Sequence, residues 1–174
     1  DGIDAKGIGV LVETLSKLAD VYVAAPAEQQ SGKSHSITFM REITVKERDM
    51  KGAVAAWEID GTPADCVIWG ISHLREEGID PDYVISGINL GYNTGYSVFY
   101  SGTLAAAREG AINGIRSIAL SLGDHEAKHF DYMLGLLPRL LEMSKQIDPA
   151  VILSVNAPDI PSWDVKGVRV TETA

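Results

Sequence analysis

Between Asp82 and Ala111 the chain reads DYVISGINLGYNTGYSVFYSGTLAAAREGA. The apolar run Tyr83-Val84-Ile85 is of strand type, and it breaks into a polar stretch punctuated by Gly87, Gly91 and Gly95. Glycines there let backbone come close to a ligand. Ser101-Gly102-Thr103 then opens an alanine-rich helix at Leu104-Ala105-Ala106-Ala107. Unpaired N–H groups and the positive end of the helix dipole favour an anion such as phosphate at that point. Strand, polar loop and helix start together make one side of a phosphate site. The same residues also serve without a ligand, the glycines as turns and Ser101 or Thr103 as a helix cap.

The elements that must position this stretch can be read in order. A helix is expected from Gly7 to Leu18, with Ile8, Leu11, Val12, Leu15 and Leu18 on one face. A buried strand, Val21 to Ala25, is stopped by Pro26. The polar loop Ala27 to Ser36 follows, where Ser31, Lys33 and His35 are placed to meet an anion or a hard metal ion, or only solvent. Ile43 to Val45 and Ala55 to Ile59 predict an appended β-hairpin whose charged tip is Lys46 to Lys51. Asp60-Gly61-Thr62-Pro63 starts a helix that buries Ala64, Val67, Ile68, Ile71 and Leu74, and its start is a second anion-facing candidate. Trp69 and His73 fall off that stripe. Beyond the central stretch come a strand at Ser117 to Leu122 and a helix from Phe130 to Lys145 that Pro138 should kink or break. A strand at Val151 to Val155 and an extended tail at Val168 to Thr171 complete the pattern. His125 and His129 have the spacing of a helical metal pair, although no third ligand is near them in sequence and a solvated helix start explains them as well.

Alternating strands and helices predict a single α/β domain, Rossmann-like and doubly wound, with a mostly parallel sheet and the hairpin appended. The chain enters its first helix almost at once, so a first strand that such a domain delivers to its ligand edge is expected to be missing. Asp1, Ser31, Asn89 and Ser101 to Thr103 each follow a strand, read or implied. They should converge on the C-terminal edge of the sheet.

Composition narrows the partners. At 174 residues, 45% hydrophobic, with a single cysteine and no long apolar run, the chain predicts a cytoplasmic domain without disulfides or a membrane span. A net charge of -9 without a basic cluster argues against a nucleic-acid polymer as partner. A phosphate bound by so acidic a chain needs local positive charge. Helix starts and a divalent cation held by oxygen donors, Mg²⁺ or Mn²⁺, would supply it.

Six blocks, DGIDAKG, AAPAEQQSGKSHSIT, DGTPADCV, VISGINLGYNTG, YSGTLAAAREGA and LSVNAP, occur in an order that resembles the SurE family of stationary-phase survival proteins. The likeness runs over nearly the whole chain. It implies a metal-dependent phosphatase that hydrolyses nucleoside monophosphates, with 3′-nucleotides and short polyphosphate as further substrates. It implies metal ligation by Asp1, Ser31 and Asn89, with Asp1 also catalytic, and phosphate binding by Asn93, Ser101, Gly102 and Thr103. The family pattern has two adjacent aspartates after its first strand, of which only the second has a counterpart here, in Asp1. Family members are longer at the C-terminus, and the resemblance implies a homodimer or homotetramer. A nucleotide-binding or sensing domain without turnover would use the same loops, and a structural subunit assembling through the hairpin would bind neither nucleotide nor metal.

Overall fold

The computed structural model describes residues 1–123 and 125–171. It is an α/β fold with two three-stranded sheets. Helix α1 (Lys6–Leu15) buries Gly7, Leu11, Val12 and Leu15. It stops three residues short of the expected end, and Leu18 is 49% exposed on the turn that follows. Strand β1 (Tyr22–Pro26) pairs in parallel with β3 (Ala55–Ile59), and β2 (Val45–Arg48) pairs antiparallel to β3. The predicted hairpin is therefore no appendage, because β3 forms the middle of the first sheet. Its charged tip is also shorter than expected. Lys46, Glu47 and Arg48 lie within β2, and Lys46 and Arg48 pair with Glu58 across the ladder.

Helix α2 (Pro63–Glu76) begins where the sequence places it, with Pro63 in the first turn. Its buried side is Ala64, Asp65, Cys66, Gly70, Ile71 and Leu74. Ile68, expected inside, is 38% exposed. Trp69 stacks on His73 at 4.6 Å, and Trp57 of β3 packs edge-on to both.

The second sheet is all parallel, in the order β4 (Tyr83–Leu90), β5 (Arg116–Leu122), β6 (Leu153–Ala157). A short helix, α3 (Ser97–Tyr100), and then α4 (Gly102–Ile112) connect β4 to β5. The apolar run of β5 marks it as the central strand, and Ile118, Leu120 and Leu122 are fully buried. Helix α5 (Asp131–Ser144) covers this sheet with Met133, Leu137 and Leu140. Pro138 sits on its exposed side and the helix runs on through it, so of the expected kink or break the break does not occur. The last strand lies two residues later than predicted. Val168 to Thr171 forms no strand, and His125 and His129 lie in a turn and an irregular segment rather than on a helix.

Contacts between α1 and β4 and between α2 and α4 join the two halves. At Gly7 the approach is so close that a Cβ would lie 2.0 Å from the Ile88 carbonyl oxygen. β1 and β4 are each the edge strand of their sheet, and both line one cavity of about 950 Å³. Its walls include Leu11, Val12, Leu15, Val23, Ile71, Leu74 and Ile88. A slot with apolar walls and two parallel strand edges is the kind of place a further parallel strand occupies in a doubly wound sheet.

Candidate active site

Most of the residues singled out in sequence line this cavity. Asp1, Ser31, Asn89, Asn93, Ser101, Gly102 and Thr103 all line it. Gly2 packs against the carbonyls of Pro26 and Ala27, while the Ile3 amide donates to the Pro26 oxygen at 2.8 Å. That places the exposed Asp1 carboxylate beside the loop after β1. Ser31 is exposed on that loop, and its Oγ accepts from Gln29 Nε2 at 3.0 Å. On the other side, the Asn89 amide nitrogen donates to the Gly91 carbonyl at 2.8 Å. This fixes the Asn89 side chain and leaves Oδ1 as the atom that could face a metal ion.

Asn93 is 8% exposed and held from two directions. Its Nδ2 donates to Ser121 Oγ at 2.8 Å, and its backbone N–H donates to Asn156 Oδ1 at 2.9 Å. Only the second hydrogen of its amide remains for a phosphoryl oxygen. Ser101 Oγ accepts the Leu104 N–H at 3.1 Å and caps α4, which leaves its own O–H free to donate. The cap orders the first turn without filling it. The Gly102 and Thr103 N–H groups and the Ser101 and Thr103 hydroxyls are donors there with no acceptor among the described residues. Gly102 is needed for contact as well, since a Cβ there would meet Pro63 Cγ at 2.9 Å and the Gln30 carbonyl oxygen at 3.5 Å. The start of α4 is thus wedged between the start of α2 and the loop carrying Ser31.

The start of α2 differs. Its cap residue Thr62 accepts the Asp65 N–H while the Asp65 carboxylate accepts the Thr62 N–H, a capping box. The helix's own carboxylate takes the place expected of a bound anion. Burial raises the Asp65 pKa, but donors from Thr38 and Thr62 outweigh it and hold the carboxyl below its usual value. Cys66 beside it is pushed up to about 12 by burial and then by the charge of Asp65, which makes it an inert thiol.

His125, read as solvated, is exposed, and its place on the same cavity was not foreseen, with its ring against Gly91, where a Cβ would come within 3.0 Å of Cε1. Tyr92 and Tyr100 line it too and are 50% and 65% exposed. A loop histidine 34 residues after Gly91 carries no sequence signal for this contact. His35 instead pairs with Glu109 of α4 at 2.8 Å, and Lys33 does not reach the cavity lining. His129 binds Asp159.

Asp1, Ser31 and Asn89 offer oxygen donors only, and the described residues contain no cluster of three acidic, histidine or cysteine side chains that could hold a metal. That donor set fits a hard cation such as Mg²⁺ or Mn²⁺.

Parallel strands that deliver polar loops and a helix start to one edge define a ligand-binding α/β domain of the Rossmann-like class. The profile described as "Survival protein SurE" matches residues 1–174, and the chain belongs to the SurE family. It is 40% identical over 173 residues to the 5′-nucleotidase SurE of Chlorobium luteolum, covering 98% of this chain and 66% of that protein. To the 5′-nucleotidase SurE of Desulforudis audaxviator it is 44% identical over 177 residues, covering 98% and 67%. The crystal structure of the SurE protein from Aquifex aeolicus superposes with a TM-score of 0.83 at 38% identity, over 98% of this chain and 68% of that one. The chain therefore spans about two thirds of the length of the relatives it matches. Among the described residues no helix is long and apolar enough to cross a membrane.

Proposed function

We propose that this chain carries the active site of a divalent-metal-dependent 5′-nucleotidase, which hydrolyses nucleoside monophosphates to nucleoside and phosphate. Its relatives named 5′-nucleotidase SurE, similar over 98% of the chain, support this reading. The observation that carries it is the start of α4. Two backbone N–H groups and two hydroxyls stand open there, on the same cavity as Asp1, Ser31 and Asn89.

A phosphate monoester is a dianion whose hydrolysis needs charge neutralisation, an attacking water and a stabilised leaving oxygen. Mg²⁺ or Mn²⁺, when bound, supplies charge and makes a coordinated water more acidic. Asp1, Ser31 and Asn89 would hold the ion, Asp1 giving the negative charge and the other two neutral oxygens. The Gly102 and Thr103 amides donate to phosphoryl oxygens, and their bonds strengthen as charge builds there. Asn93, held by Ser121 and Asn156, adds one more donor. Asp1 would also serve as the base that takes a proton from the attacking water.

The same proposal extends to 3′-nucleotides and short polyphosphate, which present the same terminal phosphoryl group. It includes a cytoplasmic homodimer or homotetramer and a further parallel strand in the slot between β1 and β4. Exposed Phe39, Met40, Tyr96 and Phe99 support a covered surface in such an assembly. Phosphate release from AMP is the test, measured on the intact protein with Mn²⁺ and again after EDTA. Turnover that stops with chelator and returns with Mn²⁺ is expected. Binding of AMP with no release in either condition would make this a nucleotide-binding domain, and full turnover in EDTA would remove the metal from the mechanism.

A further inference from the structure

Three polar residues stand in register across the second sheet, Asn89 on β4, Ser121 on β5 and Asn156 on β6. Each bonds to the loop that follows β4. Asn89 Nδ2 donates to the Gly91 carbonyl at 2.8 Å, and Asn93 Nδ2 donates to Ser121 Oγ at 2.8 Å. Asn156 grips the same residue by its backbone. The Asn93 N–H donates to Asn156 Oδ1 at 2.9 Å, and Asn156 Nδ2 donates back to the Asn93 carbonyl at 3.3 Å. Neither Ser121 nor Asn156 lines the cavity.

The loop has little else to fix Asn93. Gly91 and Gly95 bracket it with φ of 117° and 54°, a region that side chains avoid. Gly91 is tied to β5 by its N–H and the Leu122 carbonyl at 2.7 Å, the Tyr92 ring rests on Gly123, and the Thr94 carbonyl accepts only from Ser97 nearby in the chain. Among the described residues, the peptide groups of Asn93 have Asn156 as their one hydrogen-bonding partner, and its side chain has Ser121. An asparagine that takes both the N–H and the carbonyl of one residue acts on it as a neighbouring strand would. It sets where Asn93 sits beyond the strand ends. Ser121 removes the remaining freedom, rotation of the Asn93 amide, so that the second amide hydrogen has one direction to point.

We propose that Asn156 and Ser121 are positioning residues for phosphate, holding the Asn93 amide where it meets a phosphoryl oxygen. This rests on the reading of Asn93 as a phosphate donor. Asn156 lies two strands from Asn89 and bonds to none of Asp1, Ser31 and Asn89. Its loss is therefore felt by phosphate and not by the metal ion.

Inorganic phosphate titrated calorimetrically into the Mg²⁺-loaded intact protein gives a readout without turnover, and Mn²⁺ titrated alone reports the ion site. Asn93→Ala should weaken phosphate binding by ~10-fold or more, as expected for a lost hydrogen bond to a charged group. Asn156→Ala should weaken it nearly as far and lower kcat by ~10²-fold, the cost typical of a misplaced group, at unchanged Mn²⁺ affinity. Added to Asn93→Ala, Asn156→Ala should lower Tm again yet cost no further phosphate affinity or rate, because the donor it positions is already gone. A merely structural role would move Tm alone. Ser121→Ala leaves the backbone grip of Asn156 whole, should show the same loss of phosphate affinity, and decides the matter if Asn156→Ala does not fold. Phosphate affinity unchanged in Ser121→Ala or in folded Asn156→Ala, or losses that multiply in the double variant, would overturn the positioning role and leave Asn93 as a donor. Phosphate affinity unchanged in Asn93→Ala would overturn the donor and the positioning role together.

Discussion

Two glycines in α1, two residues apart, should respond to the same substitution with opposite signs. Gly9 is exposed and a Cβ there meets nothing within 4 Å. Gly9→Ala should therefore stabilise the protein by ~0.5–1 kcal/mol through helix preference alone. Gly7 has the same helix preference but faces β4. Its added Cβ would lie 2.0 Å from the Ile88 oxygen, well inside the 3.4 Å at which ordinary contact begins. The obstacle is strand backbone, which cannot rotate away as a side chain does. Overpacking of this kind costs ~1–3 kcal/mol, and the rigid partner places Gly7→Ala toward the upper end. Subtracting the helix gain leaves a net loss of ~1–2 kcal/mol. For a chain of this size that lowers Tm by ~2–8 °C, against a rise of ~1–4 °C for Gly9→Ala. Urea melts of the intact protein should show a displaced midpoint at constant slope. Because Ile88 precedes Asn89, Mn²⁺ binding should weaken in Gly7→Ala only. If Gly7→Ala melts at or above the unmutated protein, α1 does not rest on β4 as described.

Within the site, Asn89→Ala should weaken Mn²⁺ binding and lose activity that excess metal partly recovers. Thr103→Ala should lose ~10²–10³ in kcat at unchanged metal affinity, with no recovery by metal, and equal behaviour of the two variants would contradict the division of roles. Asp65, whose pKa is lower folded than unfolded, contributes stability above its unfolded value near 3.8 and loses it as pH falls through the folded value. Acid melts of Asp65→Asn should accordingly be flatter in that range, and parallel curves would remove the carboxylate from the acid response. Cys66, with a thiol pKa near 12 and 1% exposure, should resist alkylation at neutral pH until the protein unfolds. Rapid labelling of the native protein would mean that α2 opens readily.

Much of this was legible in the sequence because local signals sufficed. β1, β4 and β5 are apolar runs bounded by glycine, proline or polar residues, and the start of α2 is announced by Thr62-Pro63 and an acid at the third position. The convergence of Asp1, Ser31, Asn89 and Thr103 followed from a general property of parallel sheets, that loops after the strands share an edge. What stayed hidden depends on long-range pairing. β3 pairs in parallel with β1, 33 positions earlier, and nothing within Ala55–Ile59 says so. Pro138 tolerates the helix because it lies on an exposed face where a lost donor is replaced by water. The burial of Asp65 is set by Thr38, and the contact of His125 with Gly91 by a turn after β5. Neither partner is near in sequence.

The split of the sheet also divides the site between two bodies. Asp1 and Ser31 ride on the β1 half, whereas Asn89, Asn93 and the start of α4 ride on the β4 half. Any ion or phosphate that touches both halves acts as a rivet across the seam. Its binding free energy adds to the cohesion of the halves, ~2.7 kcal/mol at a ligand concentration one hundred times its Kd. Backbone amides on the facing edges of β1 and β4 would then exchange their hydrogens more slowly in proportion to ligand occupancy. Amides in β5, enclosed between two strands, would report only global unfolding.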